Sequence, residues 1–238
     1  DSEIKGNVKT ALEVRLGVLT RRSIGKMLNC QQTLPSLHVL FNRPVVIEMD
    51  ALNDEQTNLI TMFILMLVQS YVKSTRVSGS KLSHILVIEE AHNIIGVDTK
   101  HSGEINVKEE ATKQVVKMLA EMRALGQGFL IADQLPTAVA PSAIKNTNVK
   151  LAHRIVSGDD KEILQTTMQL DAIQFDDISR LTPGQSLVYQ EGWYKPKKVL
   201  EINSKAIYGI EESPTHEHLI KTLQSDPVYQ QVQQQLTQ

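Results

Sequence analysis

The sequence holds a single cysteine, Cys30, among 238 residues. One thiol excludes an internal disulfide framework and suits a reducing compartment. With no histidine partner close by, Cys30 reads as a free thiol without catalytic meaning. Strong charge of either sign is also missing. The net charge is −2, so no global basic field announces nucleic acid, and a DNA contact has to come from local patches or an assembled oligomer. No apolar run reaches the roughly 20 residues that cross a membrane. There is no internal repeat. The chain opens on Asp1 with no signal-like stretch and reads as a piece of a longer protein.

A phosphate loop is missing too. Residues 21–26, Arg-Arg-Ser-Ile-Gly-Lys, come near one. The pattern needs a Gly five residues before its Gly-Lys pair and a Ser or Thr after it. Those positions hold Thr20 and Met27, and no other Gly-Lys pair is followed by Ser or Thr.

What is present is an ordinary globular balance, 41% hydrophobic and 22% charged, in a length that suits one large α/β domain or one domain with an appendage. Short apolar runs recur at 44–50, 84–88, 129–132 and 149–156. Runs of this length bounded by polar residues predict strands buried on both faces, as in a parallel sheet covered by helices. Between them lie helical stretches. Apolar spacing predicts a helix over 8–19. Asn53-Asp54-Glu55 supplies start residues for a helix to about Lys73, apolar over 59–68 except for Thr61 and so expected to be buried nearly all round. A third helix runs from Val107 to Leu125 and ends at Gly126-Gln127-Gly128, a natural C-cap. A fourth runs from Asp159 to about Leu170. Residues 74–83 and 95–106 read as loops. Residues 185–189 and 198–202 read as a hairpin around Gly192, and the Gln-rich tail from His216 as one or two helices. Strands alternating with helices predict a three-layer α/β fold with a mostly parallel sheet.

In such sheets ligands bind outside the carboxyl ends of the strands. Glu89 and Glu90 sit at that end of the 84–88 run. Alternation along a strand gives neighbours different directions. One carboxylate can face a metal ion and the other a water beside a metal-bound phosphate, the division of labour that nucleotide hydrolysis requires. The plain alternative is a solvated strand end. Gln134 ends the third run at the same edge and suits bonding to both a water and a terminal phosphate oxygen, or simply to loop backbone. Arg123 near the end of its helix is favoured there by the helix dipole, or reaches a phosphate held by a neighbouring subunit. Arg154, inside the fourth run, needs a carboxylate partner or a nucleotide to offset its burial. His92 and His153 lack metal-ligand spacing and read as structural histidines.

Residues 85–93 (Ile-Leu-Val-Ile-Glu-Glu-Ala-His-Asn), 119–137, 144–155 and 181–188 together resemble the HerA-type ATPases of the HerA/FtsK superfamily, over roughly residues 8–203. The resemblance implies a RecA-like P-loop NTPase core, lacking its phosphate loop here, with 1–43 as helical lead-in, 44–203 as the ATPase core and 204–238 as a helical tail. It implies ATP and Mg²⁺ as cofactors, a cytoplasmic homo-oligomer, in that family a hexamer, and movement along double-stranded DNA. It further implies coupling to a nuclease or other effector, and in some members antiviral defence. By motif position Glu89 resembles the metal-side acid of the Walker B strand, usually Asp, and Glu90 the catalytic glutamate. Gln134 matches the sensor glutamine, Arg123 the arginine finger and Arg154 a second arginine near the phosphates. Without the loop's backbone N–H groups and Lys, this piece alone is expected to bind ATP poorly and not to hydrolyse it. The alternative is a non-catalytic module of the same fold that assembles a ring or recruits a partner. A nucleic-acid-binding domain without a motor is a weaker third reading, resting on Lys145, Lys150, Lys195, Lys197 and Lys198.

Overall fold

Two short parallel strands carry the residues of interest. The computed structural model describes residues 36–50, 52–97, 107–200 and 215–236, with single positions between 9 and 29. The described chain falls into two compact units. One comprises 58–213 and the other 1–57 with 214–238.

In the larger unit, β1 (His84–Ile88) pairs in parallel with β2 (Gln127–Ile131), His84 opposite Gln127 and Ile88 opposite Ile131. Parallel neighbours need a crossover connection. Here it is the single turn α3 (His92–Ile95) followed by α4 (Val107–Arg123). Helix α4 buries Thr112, Val115, Val116, Met118 and Met122, the spacing of one helical face. It stops two residues short of the predicted Leu125, and Gln127 and Gly128 already belong to β2. Gly126 sits at φ 73, and a Cβ there would lie 2.3 Å from the Lys81 carbonyl oxygen. Only glycine fits that turn.

The strands are not buried on both faces. Paired residues share a face, and Ile85, Val87 and Leu130 remain 54%, 55% and 50% exposed. Among the described residues no helical layer covers that side. Helix α2 (Asp54–Thr75) opens with a reciprocal cap, in which Asn53 Oδ1 accepts from the Gln56 N–H at 2.9 Å and Gln56 Oε1 from the Asn53 N–H at 3.3 Å. It is not buried all round. Leu65, Val68 and Val72 are buried, while Met66 and Leu67 face outward.

The fourth run forms β3 (Val149–Ala152), shorter than predicted, antiparallel to β4 (Gln185–Gln190), which pairs with β5 (Lys197–Leu200) in the expected hairpin. Helix α5 (Pro141–Asn146) leads into β3, and α6 (Gly158–Met168) and α7 (Ala172–Asp177) connect β3 to β4. Their core is Ala152, Leu164, Met168, Leu170, Ile178, Leu181, Leu187 and Tyr189, with Ile155 and Trp193 packed on it.

In the smaller unit, α1 (Leu37–Asn42) precedes the run predicted as a second buried strand. Residues 44–49 adopt no regular secondary structure there and pair with no strand among the described residues, and Val46 is 84% exposed. An apolar run signals a segment that can be buried; it does not supply the partner. The tail forms two helices, α8 (His216–Ser225) and α9 (Pro227–Leu236), and Arg43 makes a 2.8 Å ion pair with Asp226. The predicted helix over 8–19, most of the 95–106 loop and the end of the hairpin at 201–202 fall largely or wholly outside the described residues. No helix among the described residues is long and apolar enough to cross a membrane.

Candidate active site

Parallel pairing brings the carboxyl ends of β1 and β2 to one edge. The backbone stitches them together beyond the ladder. The Ala132 N–H donates to the Ile88 carbonyl at 2.9 Å, and the Ala91 N–H to the Ala132 carbonyl at 3.3 Å. Glu90, between these contacts, has φ 48, a left-handed conformation that costs a residue with a Cβ about 1 kcal/mol or more.

That turn sends the Glu90 carboxylate toward β2. Gln134 Nε2 donates to Glu90 Oε1 at 2.9 Å. On the other side His92 Nδ1 lies 3.7 Å from Glu90 Oε2. The Glu90 side chain stays 49% exposed, so a water can reach it. Glu89 is exposed and makes no hydrogen bond or ion pair among the described residues.

Asp133 is the member of this cluster that the sequence reading missed. Its side chain is 7% exposed. Oδ2 accepts from the His92 backbone N–H at 2.8 Å and lies 2.9 Å from His92 Nδ1. Oδ1 accepts from the Leu135 N–H at 3.0 Å. Burial pushes this carboxyl up, but the hydrogen bonds from Leu135 and His92 and the nearby His92 ring outweigh it and hold the pKa below the ordinary 3.8. Asp133 is therefore an ionised acceptor, so the His92 Nδ1 carries the proton in their bond.

The two arginines do not join the cluster. Arg123 is exposed at the end of α4, just before β2 begins. It therefore sits at the amino-terminal edge of the parallel pair. A five-residue strand at roughly 3.3 Å per residue separates it from Gln134 by about 16 Å, farther than an arginine side chain extends. Arg154 lies beyond β3 rather than inside it and is exposed, which corrects the expectation of a costly buried charge. Neither makes a hydrogen bond or ion pair among the described residues. His153 Nδ1 lies 3.3 Å from the Gln185 carbonyl oxygen.

No family model matches the chain. Over 148 residues it is 25% identical to the DNA double-strand break repair helicase HerA of Sulfolobus acidocaldarius, covering 60% of this chain and 28% of that protein. Over 126 residues it is 25% identical to the probable DNA double-strand break repair helicase HerA of Methanocaldococcus jannaschii, covering 52% of this chain and 24% of that one. The chain is related to the HerA-type ATPases. It spans about a quarter of the length of these HerA relatives. Its fold is similar to the genome packaging NTPase B204 of Sulfolobus turreted icosahedral virus 2, solved with AMPPCP, with TM-score 0.50 and 16% identity over 71% of this chain and 72% of that one. That likeness supports a mixed α/β P-loop NTPase fold of RecA-like type, to which the parallel β1–β2 pair conforms.

Against a HerA-type site, the side chains fit one half of a nucleotide centre. A Mg²⁺ beside ATP keeps several waters and takes only one or two carboxylates; Glu89, exposed at a strand end and without a partner among the described residues, would supply one. Glu90 and Gln134 suit a water next to it. The phosphate-gripping half has no counterpart, since no Gly-rich phosphate loop occurs in the 238 residues.

Proposed function

We propose that this chain is part of an ATP-hydrolysing motor of the HerA/FtsK type that moves along double-stranded DNA as a homohexamer. Residues 44–203 form its ATPase core, 1–43 a lead-in and 204–238 a tail. The observation that carries this reading is the Gln134–Glu90 hydrogen bond at the carboxyl edge of parallel strands. It joins a carboxylate that can take a proton to an amide that can meet both water and phosphate.

ATP and Mg²⁺, when bound, supply the reactive terminal phosphate and the charge that neutralises it. Glu90 orients the attacking water and accepts its proton. Gln134 holds Glu90 until a terminal phosphate competes for its amide. Glu89 holds the metal side. Arg123, out of reach of its own Glu90, serves the site of the next subunit as an arginine finger, and Arg154 contributes charge near the phosphates. A motor on DNA belongs in the cytoplasm, and coupling to a nuclease or another effector, including one in antiviral defence, fits such a machine. The test is ATP hydrolysis by the full-length protein with and without duplex DNA. DNA-stimulated turnover is expected, and hydrolysis indifferent to DNA argues against translocation.

A second reading is favoured by the missing phosphate loop. The fold then serves as a non-catalytic scaffold that assembles a ring or recruits a partner. The gene sequence upstream of Asp1 decides between them, because a Gly-rich phosphate loop there removes the scaffold reading.

A further inference from the structure

Glu90 is exposed and joined to the chain by a strained backbone, so something other than burial must set the direction of its carboxylate. Two side chains flank it. Gln134 bonds Oε1 at 2.9 Å, and the His92 ring faces Oε2, with Nδ1 at 3.7 Å. Gln134 is itself exposed. His92 is better held. Its backbone N–H and its Nδ1 both meet the same oxygen of Asp133, at 2.8 and 2.9 Å. Asp133 is nearly buried and is pinned from its other oxygen by the Leu135 N–H at 3.0 Å. Beyond this, α3 is tied to the segment that follows Gln134. The Val97 N–H donates to the Ala138 carbonyl at 3.0 Å and the Ala140 N–H to the Ile95 carbonyl at 2.8 Å.

From this arrangement we infer that Asp133 and His92 are positioning residues for Glu90. Asp133 fixes the plane and the protonated nitrogen of the His92 ring, and the ring confines the Glu90 carboxylate to the side where Gln134 meets it. The logic is that of any preorganised site. A group held by two neighbours from a rigid second layer loses less freedom when it must meet a water. Asp133 also lies next to Gln134 in the chain, so one residue pair fixes both flanks of Glu90. The inference rests on the hydrolytic reading of Glu90, but its geometric part is separable from it.

The experiment has two arms. In this chain, the ¹³C carboxyl resonance of Glu90 is followed in wild type, His92→Ala and His92→Asn, with melting curves to confirm folding. Asn keeps an N–H donor near the place of Nδ1. A shift in the Ala variant that Asn largely restores supports the positioning role. An unmoved resonance overturns it, whatever the protein's activity. In the full-length protein, His92→Ala is expected to lower kcat about ten- to a hundredfold with KM for ATP within about twofold, and His92→Asn to recover most of that. In single-turnover reactions of the Glu90→Gln background, His92→Ala is expected to add no further loss, because the group it positions is gone. An equal loss in both backgrounds, or a KM effect with kcat unchanged, overturns the role. A wild-type protein that does not hydrolyse ATP at all instead defeats the parent reading and leaves the carboxyl resonance to judge the geometry.

Discussion

The amide of Gln134 donates a 2.9 Å hydrogen bond to the carboxylate of Glu90, 44 residues away in sequence. Both side chains leave strand ends that parallel pairing forces to a common edge. The contact is exposed, so its contribution to stability is small. Removing it with Gln134→Ala should leave the melting temperature of this chain within about 2 °C, since surface changes stay within roughly 0.5 kcal/mol. A larger fall would mean that the pair is structural.

The backbone of Glu90 makes a sharper prediction. At φ 48 a Cβ is unfavourable and glycine is at ease. Glu90→Gly should therefore be more stable than Glu90→Ala by about 1 kcal/mol, the reverse of the usual order. Denaturant unfolding of the two variants checks it, and an Ala variant equal or superior in stability would contradict the left-handed turn.

Asp133 carries a pH signature. Its folded pKa lies below the ordinary 3.8. The stability it contributes is therefore fully present above its unfolded value and is lost as pH falls through the lower folded value. The melting-temperature gap between wild type and Asp133→Asn should be constant near neutrality and shrink on acidification below about pH 4. A gap that widens in acid would show that burial, rather than the bonds from Leu135 and His92, governs this carboxyl.

Ile178 is fully buried in the cluster around β4. Ile178→Ala should cost about 2–5 kcal/mol. The single tryptophan, Trp193, packs against the same cluster, so its fluorescence follows the transition directly.

Arg123 ends α4 before β2 and Glu90 follows β1, at opposite edges of the parallel pair, so in the proposed motor Arg123 acts between subunits. If the full-length protein assembles as the proposed ring, Arg123→Ala and Glu90→Gln assemblies should each be nearly inactive. Mixed rings should regain turnover at interfaces that combine an intact Glu90 with an intact Arg123. No recovery on mixing would argue for a site complete within one chain.

The shared edge of Glu90 and Gln134 is legible in the sequence. The apolar runs at 84–88 and 129–132 fix two strands, and a crossover helix makes them parallel, so Glu90 and Gln134 have to share an edge. Asp133 was not legible. It lies two residues past the end of β2, where its side chain turns to accept from the backbone N–H groups of Leu135 and of His92, 41 residues back in the chain, while its neighbour Gln134 is exposed. The available signal was an Asp closing an apolar run opposite a His that opens a helix. Arg154 was misread because Ile155 and Val156 prolong the apolar pattern after β3 has ended, yet Val156 is 65% exposed. Residues 44–50 were misread for the same reason, composition without a visible partner strand.

In the proposed motor, Glu90 is the group that activates water. Single-turnover ATP hydrolysis by the full-length protein, with Glu90→Gln beside wild type, measures this directly. The variant should bind ATP within about threefold of wild type while hydrolysis falls by about 10²–10⁴. Unchanged hydrolysis in the variant would contradict it.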